Sequence, residues 1–361
     1  KTTLTAGSNI TITNGSGAIT IAASSGATAA TPTALGTVYG KTNTGNATAI
    51  GYEALASTTT AENVGVGYRA LYANTSGASN TAVGHQALLN NVNTNNNTAV
   101  GYQSLPNNQA SNNTATGYQA LYSNTTGSEN TAVGKEAMLA NLSGAQNTAM
   151  GYRALYTSNS SAQNVAIGYE ALNGTTSSTQ KTAVGFQAGY SGITSGSGLT
   201  AIGYQAGYSD VNIYGGNDAN TYFGYRAGYN NSTLNAQTFI GTGAGYTKST
   251  TGGLCTLVGN SAGYFLTTGT GNTCLGYSTM INATTIAYSV AIGDRCMGVG
   301  VATGLYNVGV GGVALALLTS GNSNVAVGYQ SMYNTTSGDN NTAVGLNSLI
   351  NNVTGSSSVA I

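Results

Sequence analysis

Few residues in this chain are of types that do chemistry, and their spacing keeps them apart. His85 is the only histidine, which removes metal sites built from several histidines and His-based triads. The acids are Glu53, Glu62, Glu129, Glu136, Glu170, Asp210, Asp218, Asp294 and Asp339. A glycoside-cleaving pair needs two converging carboxyls. Only Asp210 and Asp218 are close in sequence outside the repeat, and a solvated loop is the plainer reading of both. Calcium-binding repeats need a recurring Asp, which is missing. Cys255, Cys274 and Cys296 are an odd set rather than a disulfide framework, and they read as small buried thiols. The chain is therefore read as a non-enzyme with no cofactor and no metal.

Charge narrows the partners. Charged residues make up 5% of the chain and the net charge is zero. That is no footprint for nucleic acid or for an anionic membrane surface, and no apolar run is long enough to insert across a membrane. Asn-x-Ser/Thr triplets such as Asn124-Thr125-Thr126 arise from an Asn/Thr-rich composition and support glycosylation weakly.

Tyrosine is the residue type with a surface role to offer. It recurs at Tyr102, Tyr118, Tyr152, Tyr169, Tyr204 and Tyr225, each one residue after a glycine. Two readings stand side by side: stacked rings that fill a coil or a subunit interface, or a repeated aromatic surface for host glycans, of the Tyr/Ser/Asn/Gly kind that adaptable binding loops use.

The element that positions these residues is a short repeated phrase, Asn130-Thr131-Ala132-Val133-Gly134 in its clearest form. Its glycine falls at Gly51, Gly67, Gly84, Gly101, Gly117, Gly134, Gly151, Gly168, Gly185 and Gly203, and then at 224, 241, 259, 276, 293, 311, 328 and 345. A nineteenth copy begins at Val359. Three residues before the glycine stands Thr or Val, and one before is mostly Val or Ile. Two β-branched positions around a small residue predict a strand. Three after the glycine the residue is small, and four after it is Leu or Met, except for Gly in the copies at 185 to 259. The rest of each unit is Asn, Thr, Ser and Gly, which is turn chemistry.

A unit of about 17 residues is too short for two packed helices. It predicts an all-β parallel β-solenoid or β-roll, one coil per unit, about 86 Å long for eighteen coils at the parallel-strand spacing. One helical turn after each strand is the competing reading, weakened by those glycines. The recurrent glycine should mark a bend or a close backbone approach. Asn80, Asn97, Asn130 and Asn147, four before the glycine, either form a ladder of side-chain amides or simply tolerate a turn. Residues 1–23 read as an N-terminal β segment, with alternation on both sides of Asn14-Gly15-Ser16-Gly17. Residues 24–46 read as a connector. The shaft is 47–361, with an insertion expected to bulge at 209–220. The chain opens at Lys1 and reads as a processed or excised piece.

Thr-Ala-Val-Gly and Val-Ala-Ile-Gly, as at 165–168 and 290–293, resemble the head repeats of trimeric autotransporter adhesins. Those heads are trimers of left-handed parallel β-rolls with a shorter unit. The phrase Asn-Thr-Ala-Val-Gly-Tyr-Gln-Ala-Leu, with Leu4–Ile12 upstream, resembles tail-fibre proteins of bacteriophages. The resemblance implies a homotrimeric structural fibre on the virion surface that contributes to host-surface attachment. The alternative is a bacterial surface adhesin or extracellular filament subunit. The sequence adds its own argument for an intertwined or coaxial trimer: a thin coil is expected to leave a Leu/Tyr stripe exposed along the rod, and such a stripe is an association surface. An ice-binding solenoid is a further physical alternative raised by the Thr column. One Thr per coil flanked by larger residues argues against it.

Overall fold

The computed structural model describes residues 10–15, 18–23, 47–60, 62–191, 197–210, 220–231, 236–247 and 253–361. Residues 1–37 and 38–361 are separate units. In the first, β1 (Ile10–Gly15) and β2 (Ala18–Ala23) pair antiparallel, Ile10 opposite Ala23 and Gly15 opposite Ala18. The alternation around the Asn-Gly stretch thus marks a hairpin whose strands pair with each other. The connector at 24–46 and residues 211–219 of the insertion lie outside the described residues.

The second unit is a parallel β-solenoid. Strands run from β3 (Thr48–Ile50) to β21 (Val359–Ala360), and each pairs only with the strand before and the strand after it in the chain. Register is unshifted: Thr81 faces Thr98, Ala82 faces Ala99, Val83 faces Val100. Both edges of every internal strand are filled from the same chain.

Each strand from β3 to the one before β21 is three residues long, and its ends are set by sterics. Gly134 follows the strand at φ 133°, a region open to glycine alone. A Cβ there would lie 2.5 Å from the carbonyl oxygen of Gly151 in the next coil. The recurrent glycine therefore answers to both expected causes, bend and close approach. No helical turn follows. Glu136 and Met138 have φ of 58° and 53°, and Ala137 between them does not share that sign, so the sign alternates where a helix would keep it constant. Amides then point alternately up and down the rod: Glu136 N–H donates to Tyr118 O in the coil before, and Met138 N–H to Ala154 O in the coil after.

The interior has three apolar columns: the small residue at the strand centre, the small residue three after the glycine, and the Leu or Met four after it. Ala132, Ala137 and Met138 are fully buried, as are Leu71, Leu88, Leu105, Leu121, Leu155 and Leu172. This corrects the expected Leu/Tyr stripe. The left-handed residue turns the Leu inward, where each contributes about 2 kcal/mol, and only the tyrosines stay outside. Leu121→Asp and Leu155→Asp would therefore disrupt the coil itself rather than report on chain association.

Three of the five copies with Gly at the Leu position keep their volume by exchange within the coil: the strand centre grows to Tyr222, Phe239 and Leu257, all fully buried. In the copies at Gly185 and Gly203 the strand centre stays Ala183 and Ala201, and the space beside Gly189 and Gly207 is taken by Leu199 and by Tyr222 of the next coil. A Cβ on Gly228 would meet the Tyr222 ring at 2.4 Å, and one on Gly245 the Phe239 ring at 2.5 Å. Close packing forbids both being large.

The asparagines four before the glycine do form a ladder. Asn130 Oδ1 accepts the backbone N–H of Asn147 at 3.0 Å, and its Nδ2 donates to Gly144 O at 2.8 Å. A second buried ladder, seven after the glycine, was not anticipated. Asn124 Nδ2 donates to Asn108 Oδ1 and Asn141 Nδ2 to Asn124 Oδ1, both at 2.8 Å. The two ladders meet at one carbonyl, since Gly144 O also accepts from Asn141 Nδ2 at 3.0 Å. Asn124, the acceptor of the quoted Asn-Thr-Thr triplet, is thus fully buried and bonded.

Two outcomes are expected. In denaturant titrations, Asn130→Ala should cost about 2–4 kcal/mol by orphaning the Asn147 amide and one contact of Gly144 O. Thr126→Ala, at an exposed turn residue, should stay within about 0.5 kcal/mol. In a double-mutant cycle, Gly245→Leu and Phe239→Ala should each destabilise, and the pair together should cost less than their sum. Additive losses would show that the two positions do not share one space.

Candidate functional site

The part of each coil just after the glycine is the face with exposed aromatic side chains. The first residue after the glycine points outward, and its ring lies flat on the ring of the next coil. Tyr102 and Tyr118 stack at 5.4 Å, and Tyr152, Tyr169, Phe186, Tyr204 and Tyr225 follow at 5.0, 5.0, 5.1 and 5.3 Å. His85 is one more plate of this column, 4.9 Å from both Tyr68 and Tyr102. Lys135 takes the one place between Tyr118 and Tyr152, its Nζ 5.7 Å from each ring, a cation–π bridge where a ring is missing.

A second aromatic column, missed in the sequence, lies five after the glycine. Tyr190, Tyr208, Tyr229, Tyr246 and Tyr264 stack at 4.7 to 5.1 Å. It runs through the coils whose interior Leu is Gly, where Gly-Tyr pairs recur. Between the two columns runs a polar ladder: Gln187 donates to Glu170 at 2.9 Å, Gln205 to Gln187 at 3.0 Å, and Arg226 to Gln205 at 3.0 Å. Arg153 bridges to Glu136 at 2.6 Å while lying over Tyr152 and Tyr156. That hydrogen bond holds the Glu136 carboxyl below its usual range.

The stacking decides what the tyrosines offer. Within each run of rings both faces are covered by the rings above and below, while Tyr118, Tyr152 and Tyr225 have a ring on one side only, so little open ring face is left for a sugar to lie on. Ring edges and hydroxyls remain, on side chains that are 40–47% exposed at Tyr102, Tyr118, Tyr169, Tyr204 and Tyr225.

The groups weighed for other chemistry are dispersed. Asp210 is not a solvated loop residue: it is buried in the second Asn column and accepts from Asn220 Nδ2 at 2.9 Å. Asp218 lies outside the described residues. Cys255, Cys274 and Cys296 are free and buried, and burial pushes the Cys296 thiol up to about 12. Cys255 sits in the first Asn column, its Sγ 3.6 Å from Gly269 O, the carbonyl an Asn amide would reach. Among the described residues no cluster of His, Cys, Asp or Glu is fit to hold a metal.

Lys181 is the one buried cation among the described residues. It also replaces an Asn of the first column, with Nζ 2.6 Å from Ser178 Oγ. Burial lowers its pKa to about 7, against a smaller opposing pull from Asp210. Between that value and its ordinary one near 10.5, the unfolded chain binds a proton the folded coil does not, so stability rises with pH across this window. Below about pH 7 the full penalty of the buried charge is present. Raising pH from 7 to 10 should strengthen this segment, read as slower amide exchange after correction for intrinsic rates. Lys181→Asn should flatten that dependence.

Compared with family models, curated proteins and solved structures, the chain has no match.

Proposed function

We propose that the chain is the shaft of an extracellular fibre, carried on a virion, that holds its distal parts away from the particle and contributes to host-surface attachment. The observation that carries this reading is the unbroken in-register ladder from β3 to β21. Such a ladder makes a rod whose length grows with each coil, and stability adds by neighbour contacts. The resemblance to phage tail fibres supplies the virion. A bacterial surface adhesin or filament would use the same shaft, and labelling of native particles separates the two.

We place self-association, as a homotrimer coaxial along the repeat, on the aromatic side. Half-exposed Tyr with Arg between the columns matches the composition of protein interfaces. Host glycans would meet the same side through hydroxyls and ring edges.

Light scattering of the purified chain should give roughly three times 35.9 kDa, and electron microscopy should show rods at least about 86 Å long. Tyr102→Asp with Tyr204→Asp should release single chains whose circular dichroism is unchanged. A stable wild-type species of one chain mass would overturn the trimer. Globular particles would overturn the shaft.

A further inference from the structure

We propose that the outward face of the strand ladder binds ice. Each strand points its centre residue inward and the two beside it outward, because side chains alternate along a strand. The outer face is therefore two straight columns. One is Thr or Val throughout. The other is Val, Ile or Thr in most coils, with Met150, Phe223 and Leu275 as its large exceptions. No outward position from β3 to β20 (Thr342–Val344) carries a charged or amide side chain. The sequence argument against ice binding was that larger residues flank each Thr. The structure answers it for most coils: the immediate neighbour is buried, and outside the coils of Met150, Phe223 and Leu275 the next outward residue is a β-branched side chain of similar size.

Two kinds of threonine separate here. Those in turns spend their hydroxyls inside the protein: Thr75 on Val92 O at 3.1 Å and Thr125 on Leu142 O at 2.9 Å. The strand hydroxyls of Thr81, Thr98, Thr114 and Thr131, all partly exposed, have no protein partner among the described residues. A dry interface would leave a whole column of them unbonded, each at a cost. An ordered water layer bonds every one, while the methyl groups beside them hold cages of water without competing for hydrogen bonds.

Spacing supplies the rest. Unshifted pairing repeats each hydroxyl once per coil, at about 4.8 Å, close to the short repeat of oxygen positions on a prism face of ice. Side-chain ladders keep long sheets from twisting out of line, and this rod has two Asn ladders inside and aromatic columns beside the face. The longest even stretch is β3 to β8 (Thr131–Val133), where the second column reads Ile50, Val66, Val83, Val100, Thr116 and Val133. The inference needs only that this face is free, so it stands apart from what the shaft is mounted on.

The test uses the full chain in a nanolitre osmometer, with light scattering on the same sample. Wild type should open a gap between melting and freezing points and facet the ice crystals. Thr98→Lys with Thr131→Lys should abolish most of the gap, because two long hydrated side chains lift the face from the lattice. Thr98→Val with Thr131→Val, which keeps shape and removes hydroxyls, should lose part of it. Thr126→Lys in a turn should lose none. Circular dichroism confirms that each variant is folded. Round crystals and no gap with wild type would overturn the proposal. So would a face variant that dissolves an oligomer without changing the gap, which would assign the face to copies of the chain.

Discussion

Everything in the rod follows from one requirement: a coil of about 17 residues with only three in a strand must still bond its remaining backbone groups. In an ordinary parallel sheet the connections leave the sheet and find partners elsewhere. Here they stay in the coil, and most of their amides reach the coil above or below. Alternating φ signs at Glu136 and Met138 aim successive amides in opposite axial directions, at a cost of about 1–2 kcal/mol for each left-handed residue. Where the backbone turns inward and no neighbouring backbone group is in reach, the Asn130 and Asn141 amides complete the set. An orphaned group would cost about as much as the strain, and the same error would recur in each copy of the coil.

That requirement fixes the interior. Coils in unshifted register have no room to slide, so each must fill the same cross-section. Two small residues with a Leu or Met do this in most coils, while Tyr222, Phe239 and Leu257 do it opposite glycines. Residues one coil apart are always neighbours, so like side chains pile into columns: Asn on Asn, Gln on Gln, Tyr on Tyr. Lys135 and Lys181 show the tolerance of such columns. The exposed one bridges two rings at the surface, and the buried one loses much of its hold on a proton.

The same geometry separates the surfaces by chemistry. Beyond the glycine lie aromatic rings with Arg, Glu and Gln between them. Before it lies a sheet of Thr and apolar residues without charge. Each side presents one motif many times along a line. A repeated weak contact suits attachment to an extended surface, because contacts held in one rigid body add without fresh entropic cost.

The sequence alone determined the period, the strand in each unit and the all-β class, and it held the hairpin at residues 10–23 and the bend at the glycine each as one of two readings. These rest on local rules: β-branched alternation and a position only glycine tolerates. It also held the Asn ladder as one of two readings, and the coil-to-coil contacts decided in its favour. What the tertiary structure decided was direction. Leu121 reads from sequence as half of an outer stripe, yet its left-handed backbone turns it into the core. Asp210 reads as a loop acid, yet it stands in a buried Asn column that becomes visible only when coils are aligned seven residues past the glycine. Ring stacking likewise covers most of the tyrosine faces, which sequence could not show. A side chain's periodicity gives its column, but whether that column faces core or solvent depends on φ signs and on contacts between coils, which no single repeat contains.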